Sequence, residues 1–307
     1  MSLQKILLIG TVALFAVIGV TAYIKKAPKV NLSATPVQVS MPVATKDDFP
    51  MIDRIFQLFA TGGSKLPIVE TLTYSSSAPW LKGRPAWIAD YATHYGTSRH
   101  FIARSMNAKS DYFTQKVFEG SKFNVFRKDK KIQFYLLVDL SLLKMGFYYV
   151  DLDTNERVLL KTYRVAAGRL DPSKPSGSLT PLGRYSLGDK VAIYQPGTMS
   201  YFQDQKTEMI RVVGTRWIPF DQDVADSSII RGYGIYGTSW IPEGQTNQLV
   251  ENRECIGKYE TDGGIRLASE DLEELFAIVI TKPSFIEIVK DFREAKLPGV
   301  EVATPTR

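Results

Sequence analysis

A glycine-rich turn, a short apolar strand and a helix follow one another late in the chain. The stretch that carries them begins with Thr261-Asp262-Gly263-Gly264-Ile265-Arg266-Leu267. Ser269 is expected to cap the helix, and acidic residues fill its first turn, where the helix dipole favours negative charge. The predicted buried face of the helix consists of apolar residues at helical spacing: Leu272, Leu275, Phe276 and Val279.

The residues before this stretch contain short apolar runs that are separated by polar turns. Strands are predicted at 134–140, 147–150 and 158–165. Regular short strands with polar turns are typical of a β-sandwich or barrel rather than of βαβ units. We therefore predict a β-rich, sandwich-like domain over residues 133–292, followed by a tail at 293–307.

Three segments of this domain carry motifs in a fixed order. They are Thr180-Pro181-Leu182-Gly183-Arg184-Tyr185, Gly234-Ile235-Tyr236-Gly237-Thr238 and the opening stretch itself. Their order, and the distance of the last motif from its helix, resemble the catalytic domain of L,D-transpeptidases (YkuD-type). The resemblance implies a family in which a cysteine thiolate, assisted by a histidine, attacks an acyl group of the peptidoglycan stem peptide.

The chain departs from this family at the positions that carry the chemistry. The nucleophilic cysteine is replaced by Gly264, and histidines are replaced by Tyr236 and Asp262. Glycine offers no nucleophile, and a phenol with an ordinary pKa of about 10 is a poor base near neutral pH. We therefore expect no catalysis from the residues at the positions of the family motifs, which are Tyr236, Gly237, Thr238, Thr261, Asp262, Gly263, Gly264 and Arg266.

The sequence leaves two interpretations open for each of two residues, Cys255 and Arg266. Cys255 follows an insertion rich in Gln, Asn and Glu, and it would be the nucleophile of an active transpeptidase or carboxypeptidase. Because this domain contains no histidine to activate it, an inert thiol is the favoured interpretation. Arg266 either grips a carboxylate with paired donors or forms a structural salt bridge. The sequence thus favours a degenerate homologue that binds peptidoglycan, with an enzyme that uses Cys255 as the alternative.

Residues 66–127 are predicted to form a strand, two helices and a strand. Thr97 and Ser98 can cap the second helix, and Glu119-Gly120-Ser121-Lys122-Phe123 turns into the closing strand. The first helix has apolar residues at helical spacing and a glycine stop: Ile88, Tyr91, Ala92, Tyr95 and Gly96. Together these motifs resemble a LysM module, which implies binding to glycans that contain N-acetylglucosamine. A small α+β spacer without a ligand is the alternative.

The N-terminal region is predicted to anchor the chain. Residues 6–24 carry no charge, and these 19 residues are long enough to cross a bilayer as a helix. An uncleaved anchor within residues 1–30 is favoured over a cleaved signal peptide, and residues 31–65 are predicted to be a linker. Three lysines just after the apolar segment would keep the body cytoplasmic by the positive-inside rule. Since both resemblances require wall polymer, we instead expect a cell-envelope protein, anchored in the inner membrane, with a periplasmic or extracellular body.

The composition excludes several classes of protein. Of the 307 residues, 44% are hydrophobic and 23% are charged, which is typical of a globular chain. The net charge of +6 is concentrated in the anchor and the first folded segment, so nucleic-acid binding is not expected. His94 and His100 would not share a helix face and are interpreted as surface or capping residues. We expect no metal and no cofactor; the expected partners are peptidoglycan glycan strands and stem peptides, the membrane, and wall-synthesis enzymes.

A reporter fusion tests the expected topology. We expect alkaline phosphatase fused after Thr45 to be active and a cytoplasmic reporter fused there to be dark, because the body faces the wall. The two fusions differ only in the reporter, so each is the control for the other. The reverse pattern would support the lysine asymmetry and place the body in the cytoplasm.

Overall fold

The computed structural model describes residues 49–107, 115–189, 191–202, 204–246 and 248–302. The predicted anchor at 6–24 lies outside these residues. No helix within the described ranges has the length and apolar character needed to cross a membrane. By their pattern of contacts, the described residues belong to one compact unit.

Strands outnumber helices in the described part of the chain. The helices are α1 (Phe56–Phe59), α2 (Ile88–His94), α3 (Arg99–Asn107), α4 (Ile210–Val213), α5 (Ser269–Val279) and a 3₁₀ turn (Phe292–Glu294). The first nine strands are β1 (Val69–Thr73), β2 (Lys122–Phe126), β3 (Ile132–Asp139), β4 (Lys144–Asp151), β5 (Glu156–Arg164), β6 (Ala167–Gly168), β7 (Gly183–Leu187), β8 (Ala192–Ile193) and β9 (Met199–Phe202). The others are β10 (Gln205–Glu208), β11 (Arg216–Asp223), β12 (Gly234–Gly237), β13 (Trp240–Pro242), β14 (Leu249–Glu251), β15 (Tyr259–Thr261), β16 (Ile265–Leu267), β17 (Ser284–Val289) and β18 (Val300–Glu301).

One long sheet organises the fold. Its strands lie in the order β16-β12-β11-β7-β17-β3-β4-β5-β18, with β8 beside β11. Strand β11 changes partners along its length: Trp217 to Pro219 pair with β12, whereas Phe220 and Asp223 pair with β7 across an irregular register. Such irregularities bend a strand, and the sheet curls as a result. The predicted β-rich character is confirmed, and the three predicted strands correspond to β3, β4 and β5.

The central strands are buried on both faces. On β3, Phe134 and Leu136 belong to the main core, whereas Tyr135 and Leu137 belong to a second apolar cluster around Phe49. Alternate residues of a strand point to opposite faces, so these two clusters lie on either side of the sheet. The predicted apolar stripe of α5 is confirmed, because Leu272, Leu275, Phe276 and Val279 are all buried in the main core.

The start of α5 differs from the prediction that Ser269 caps it. The capping position is Ala268, and no side chain of that residue caps the helix. The backbone N–H of Ser269 instead donates to Glu251 Oε1 at 2.6 Å, and the Ser269 hydroxyl accepts from Trp240 Nε1 at 3.2 Å. The carboxylate of Glu251 on β14 therefore binds the positive end of the helix. The hydroxyl of Ser269 instead forms its hydrogen bond with Trp240 of β13.

The predicted strand–helix–helix–strand order is present, and it consists of β1, α2, α3 and β2. Of the two predicted caps of α3, Ser98 is confirmed: its hydroxyl accepts from the Phe101 N–H at 2.8 Å and donates to Ala277 O of α5 at 2.7 Å. The Thr97 hydroxyl is buried without a hydrogen-bond partner among the described residues. Phe101 and Phe126 lie in the main core beside Phe134. The segment thus packs against the sheet, and its LysM resemblance stays a prediction.

His100 does not lie at the surface, so its interpretation as a surface or capping residue is wrong. Only 6% of it is exposed, and its ring packs edge-on against Phe276 of α5. Burial lowers the pKa of His100 to about 4, and the nearby charges of Arg99 and Arg216 act in the same direction. The imidazole is therefore neutral near pH 7 and belongs to the contact between α3 and α5.

Candidate functional site

The residues of two sequence motifs meet where β12 and β16 run in parallel. The register pairs Tyr236 with Arg266, and Tyr236 also pairs with Trp217 of β11 on its other side. The Arg266 guanidinium lies over the Tyr236 ring, 4.8 Å from its centroid, and the Trp217 ring stacks on Tyr236 with centroids 5.6 Å apart. Three neighbouring strands thus present a row of two aromatic rings and one cation.

Gly264 lies directly against the Tyr236 ring. A Cβ atom built on Gly264 would overlap Cε1 of that ring, and it would lie 2.8 Å from the carbonyl oxygen of Gly234. Neither contact leaves room for a carbon atom. Position 264 therefore accepts only glycine while the tyrosine ring keeps its place, so the replacements at 236 and 264 are sterically linked.

The turn before β16 is held from within. The buried Thr261 hydroxyl donates to Gly264 O at 2.7 Å and accepts from the Gly263 N–H at 3.2 Å. Gly263 has a φ of 114°, a conformation that other residues rarely adopt, and a Cβ there would lie 2.7 Å from Cε1 of Tyr233. The Thr261 hydroxyl thus bridges the turn, and position 264, where the family resemblance implies a nucleophile, has no side chain.

Asp262, which replaces a histidine of the family motif, lies near the solvent. Its carboxylate forms a 2.6 Å salt bridge with Arg169, and both side chains are more than half exposed, at 55% and 61%. An exposed pair of this kind adds little stability. The negative charge of the carboxylate is one of the causes that raise the pKa of Tyr236.

The phenol of Tyr236 is kept neutral. Burial raises its pKa, and this effect outweighs the opposing charge of Arg266 and the hydrogen bonds with Thr261 and Arg266. A phenol whose pKa is above 10 holds its proton near pH 7. In its protonated form Tyr236 can contribute shape and hydrogen bonding to the site.

A cavity of about 260 Å³ opens over this row. Phe202 of β9 and Val212 of α4 form an apolar wall, and Glu260 and Asp262 provide carboxylates. Tyr236, Gly264 and Arg266 also line it. Thr261 lines it too, so the structure brings five of the predicted motif residues into one cavity. Trp217, Phe202 and Val212, which no sequence motif had indicated, join them there.

Thr238 and Gly237 do not line the cavity. The Thr238 hydroxyl donates to Glu251 Oε1, and the other oxygen of Glu251 accepts from Arg253 Nε at 2.7 Å. Burial raises the pKa of Glu251, but hydrogen bonds from Thr238, the Ser269 N–H and Arg253 outweigh burial and lower it overall. Glu251 lies in the polar insertion, whose composition does not single out any one carboxylate.

Cys255 is not brought into the cavity. Its thiol is free and buried, in the turn before β15, and it is not among the residues that line the space over Gly264. Its carbonyl oxygen accepts from the Lys258 N–H at 3.0 Å, which closes that turn. Strand β15, paired with β6, separates the turn from the Gly263–Gly264 turn along the chain.

The comparison with protein families covers the part of the chain that contains all three motifs. The family model of the L,D-transpeptidase catalytic domain (YkuD) matches residues 133–288. No curated protein matches the chain. The match begins within β3 and ends within β17, so it contains the cavity and leaves out the segment that resembles a LysM module.

Solved structures of low similarity also align with the chain. The structure of Bd1075 from Bdellovibrio bacteriovorus is 12% identical, with a TM-score of 0.35, over 52% of this chain and 48% of that one. The helical cell shape determining protein Pgp2 from Campylobacter jejuni is 16% identical, with a TM-score of 0.35, over 55% and 51%. An L,D-transpeptidase from Xylanimonas cellulosilytica DSM 15894 is 10% identical, with a TM-score of 0.27, over 52% and 62%. The chain thus spans about half the length of the first two.

A double-mutant cycle tests the contact between Gly264 and Tyr236. We expect Gly264→Ala to lower the free energy of unfolding by about 1–3 kcal/mol, because the added methyl group overpacks the site. In a Tyr236→Ala background the same change should cost at least about 1 kcal/mol less, measured by urea denaturation. The relief is partial because the Gly234 carbonyl remains.

Gly62→Ala is the matched control for this cycle. Its Cβ would have no neighbour within 4 Å, and its φ is not in the left-handed region. We expect a change within about 0.5 kcal/mol in either background. Equal costs of Gly264→Ala with and without the tyrosine ring would show that the two positions are independent.

Proposed function

The chain belongs to the L,D-transpeptidase catalytic domain family, and we propose that it binds peptidoglycan without transferring an acyl group. The observation that carries this proposal is the Tyr236 ring, which lies in the space that a side chain at position 264 would need. A family member that acts through a cysteine needs a thiolate at that point and a base beside it. This chain has neither there, yet it keeps an open cavity.

The other groups near the cavity support the same proposal. The phenol of Tyr236 holds its proton near neutral pH, and Asp262 is engaged by Arg169. The thiol of Cys255 lies outside the cavity. What the cavity offers is a cation held on an aromatic ring beside an apolar wall, which suits recognition of a peptide rather than attack on it.

We propose a location for this activity as well. A wall-binding protein needs its body on the side of the membrane where the polymer lies, and the apolar segment at 6–24 would hold it there. The strand–helix–helix–strand segment would bind glycan strands, and the cavity would bind stem peptides. A protein that binds both without processing either would act as a scaffold or regulator of wall-synthesis enzymes.

Intact-protein mass spectrometry tests the loss of acyl transfer. We expect the wild-type chain to gain no mass after incubation with β-lactams that acylate active members of the family, because Gly264 offers no nucleophile. Cys255→Ser is the matched control. An adduct on the wild-type chain that is absent from Cys255→Ser would contradict the proposal and identify an enzyme that uses Cys255.

Cosedimentation with purified sacculi tests the binding half of the proposal. We expect the full-length chain to pellet with sacculi and to stay bound at 1 M salt, where the Debye length is about 3 Å. Hydrogen bonds and stacking on aromatic rings persist under these conditions, whereas attraction of a basic protein to an anionic polymer does not. An unrelated protein with a net charge of +6 is the control, and loss of both proteins at 1 M salt would show nonspecific charge binding.

A further inference from the structure

Two of the charged residues that line the cavity have a salt-bridge partner, and a third has none within the described part of the chain. Glu260 is paired with Lys258 at 3.6 Å, and Asp262 is paired with Arg169 at 2.6 Å. Arg266 forms no salt bridge with any described residue. The interpretation of Arg266 as a structural salt bridge is thus unsupported. It is the charged residue of the cavity whose counter-ion the described chain does not supply.

The hydrogen-bond donors of Arg266 are also only partly used. Nη2 donates to Val212 O at 2.9 Å, whereas the buried Nε has no hydrogen-bond partner among the described residues. A guanidinium has five N–H donors, and withdrawing it from water without an anion costs free energy. A ligand that brings a negative charge with two acceptor oxygens would recover part of this cost.

The Tyr236 ring fixes the plane in which such a ligand would bind. The guanidinium lies on the ring, and the ring is in turn stacked on Trp217. A guanidinium held flat in this way presents its donors as a fork, which matches the two oxygens of a carboxylate better than a freely rotating ammonium group does. Tyr236, whose ring excludes a side chain at position 264, therefore also orients the guanidinium of Arg266.

We propose that this cavity is a socket for the free C-terminal carboxylate of a peptide, with Arg266 as its anion-binding residue. In the context of the proposed function, on which this inference rests, the peptide is a peptidoglycan stem with an uncross-linked end. The cavity volume of about 260 Å³ is below the roughly 300–1,000 Å³ of sites that enclose a small molecule, so it takes one end of a chain. Phe202 and Val212 contact the side chain of the terminal residue. The socket distinguishes stems that end in an acid from stems whose end is an amide.

Isothermal titration of the full-length chain with two stem peptides tests the socket. The peptides differ only at the C-terminus, which is a carboxylate in one and a carboxamide in the other. We expect the wild-type chain to bind the acid about tenfold or more tightly than the amide, because the amide carries no charge and only one acceptor oxygen. Equal affinities for the two peptides would overturn the inference without the use of any variant.

Substitutions at Arg266 test whether this residue causes the preference for the acid peptide. Arg266→Gln should abolish the preference for the acid, and Arg266→Lys, which keeps the charge but not the fork, should reduce it. Arg211→Gln is the matched control, because Arg211 pairs with Glu208 outside the cavity and should leave the preference unchanged. Thermal unfolding of each variant shows whether it is folded. A folded Arg266→Gln that still prefers the acid would overturn the assignment to Arg266.

Two further measurements separate this inference from its premise. Inorganic phosphate that competes as strongly as the acid peptide would show a general anion site and overturn the carboxylate assignment. Binding to sacculi without a preference for the acid would leave the proposed function in place and remove the socket. A preference for the acid without binding to sacculi would support the socket and remove the proposed wall binding.

Discussion

The parallel pairing of β12 with β16 is the constraint on which the site depends. Its register places Tyr236 beside Arg266, and β11 adds Trp217 on the other side. A shift of one residue in either strand would turn one of these side chains to the opposite face of the sheet. The row of rings and cation, the wall of the cavity and the contact with Gly264 all follow from this register.

The contact between Tyr236 and Gly264 makes the residues at these two motif positions depend on each other. The glycine at 264 leaves room for the tyrosine ring, and that ring would collide with any side chain at 264. Together the two residues fill the space. Asp262 is not part of this arrangement, because it lies exposed and pairs with Arg169. Restoring a cysteine at 264 would therefore first require a smaller residue at 236.

The insertion between β12 and β15 stabilises the other end of the same strand. Glu251 accepts hydrogen bonds from Thr238 at the end of β12 and from the Ser269 N–H at the start of α5. One carboxylate thus ties the strand that carries Tyr236 to the helix that follows Arg266. The apolar stripe of that helix is buried in the main core.

The sequence by itself determined the elements whose signals are local. The strands β3, β4 and β5, the stripe of α5 and a cap of α3 at Thr97 or Ser98 were predictable, because alternation, helical spacing and capping depend on residues close together in the chain. The motif order also identified the family. Tertiary structure alone decided how the residues of the motifs contact one another. Gly264, Tyr236 and Trp217 lie on three different elements, so the steric link between 236 and 264 and the cation without a counter-ion arise only from strand pairing. The same reason explains the errors: Ser269 does not cap α5 because Glu251 reaches it from another strand, and His100 is buried because α5 covers the helix that carries it.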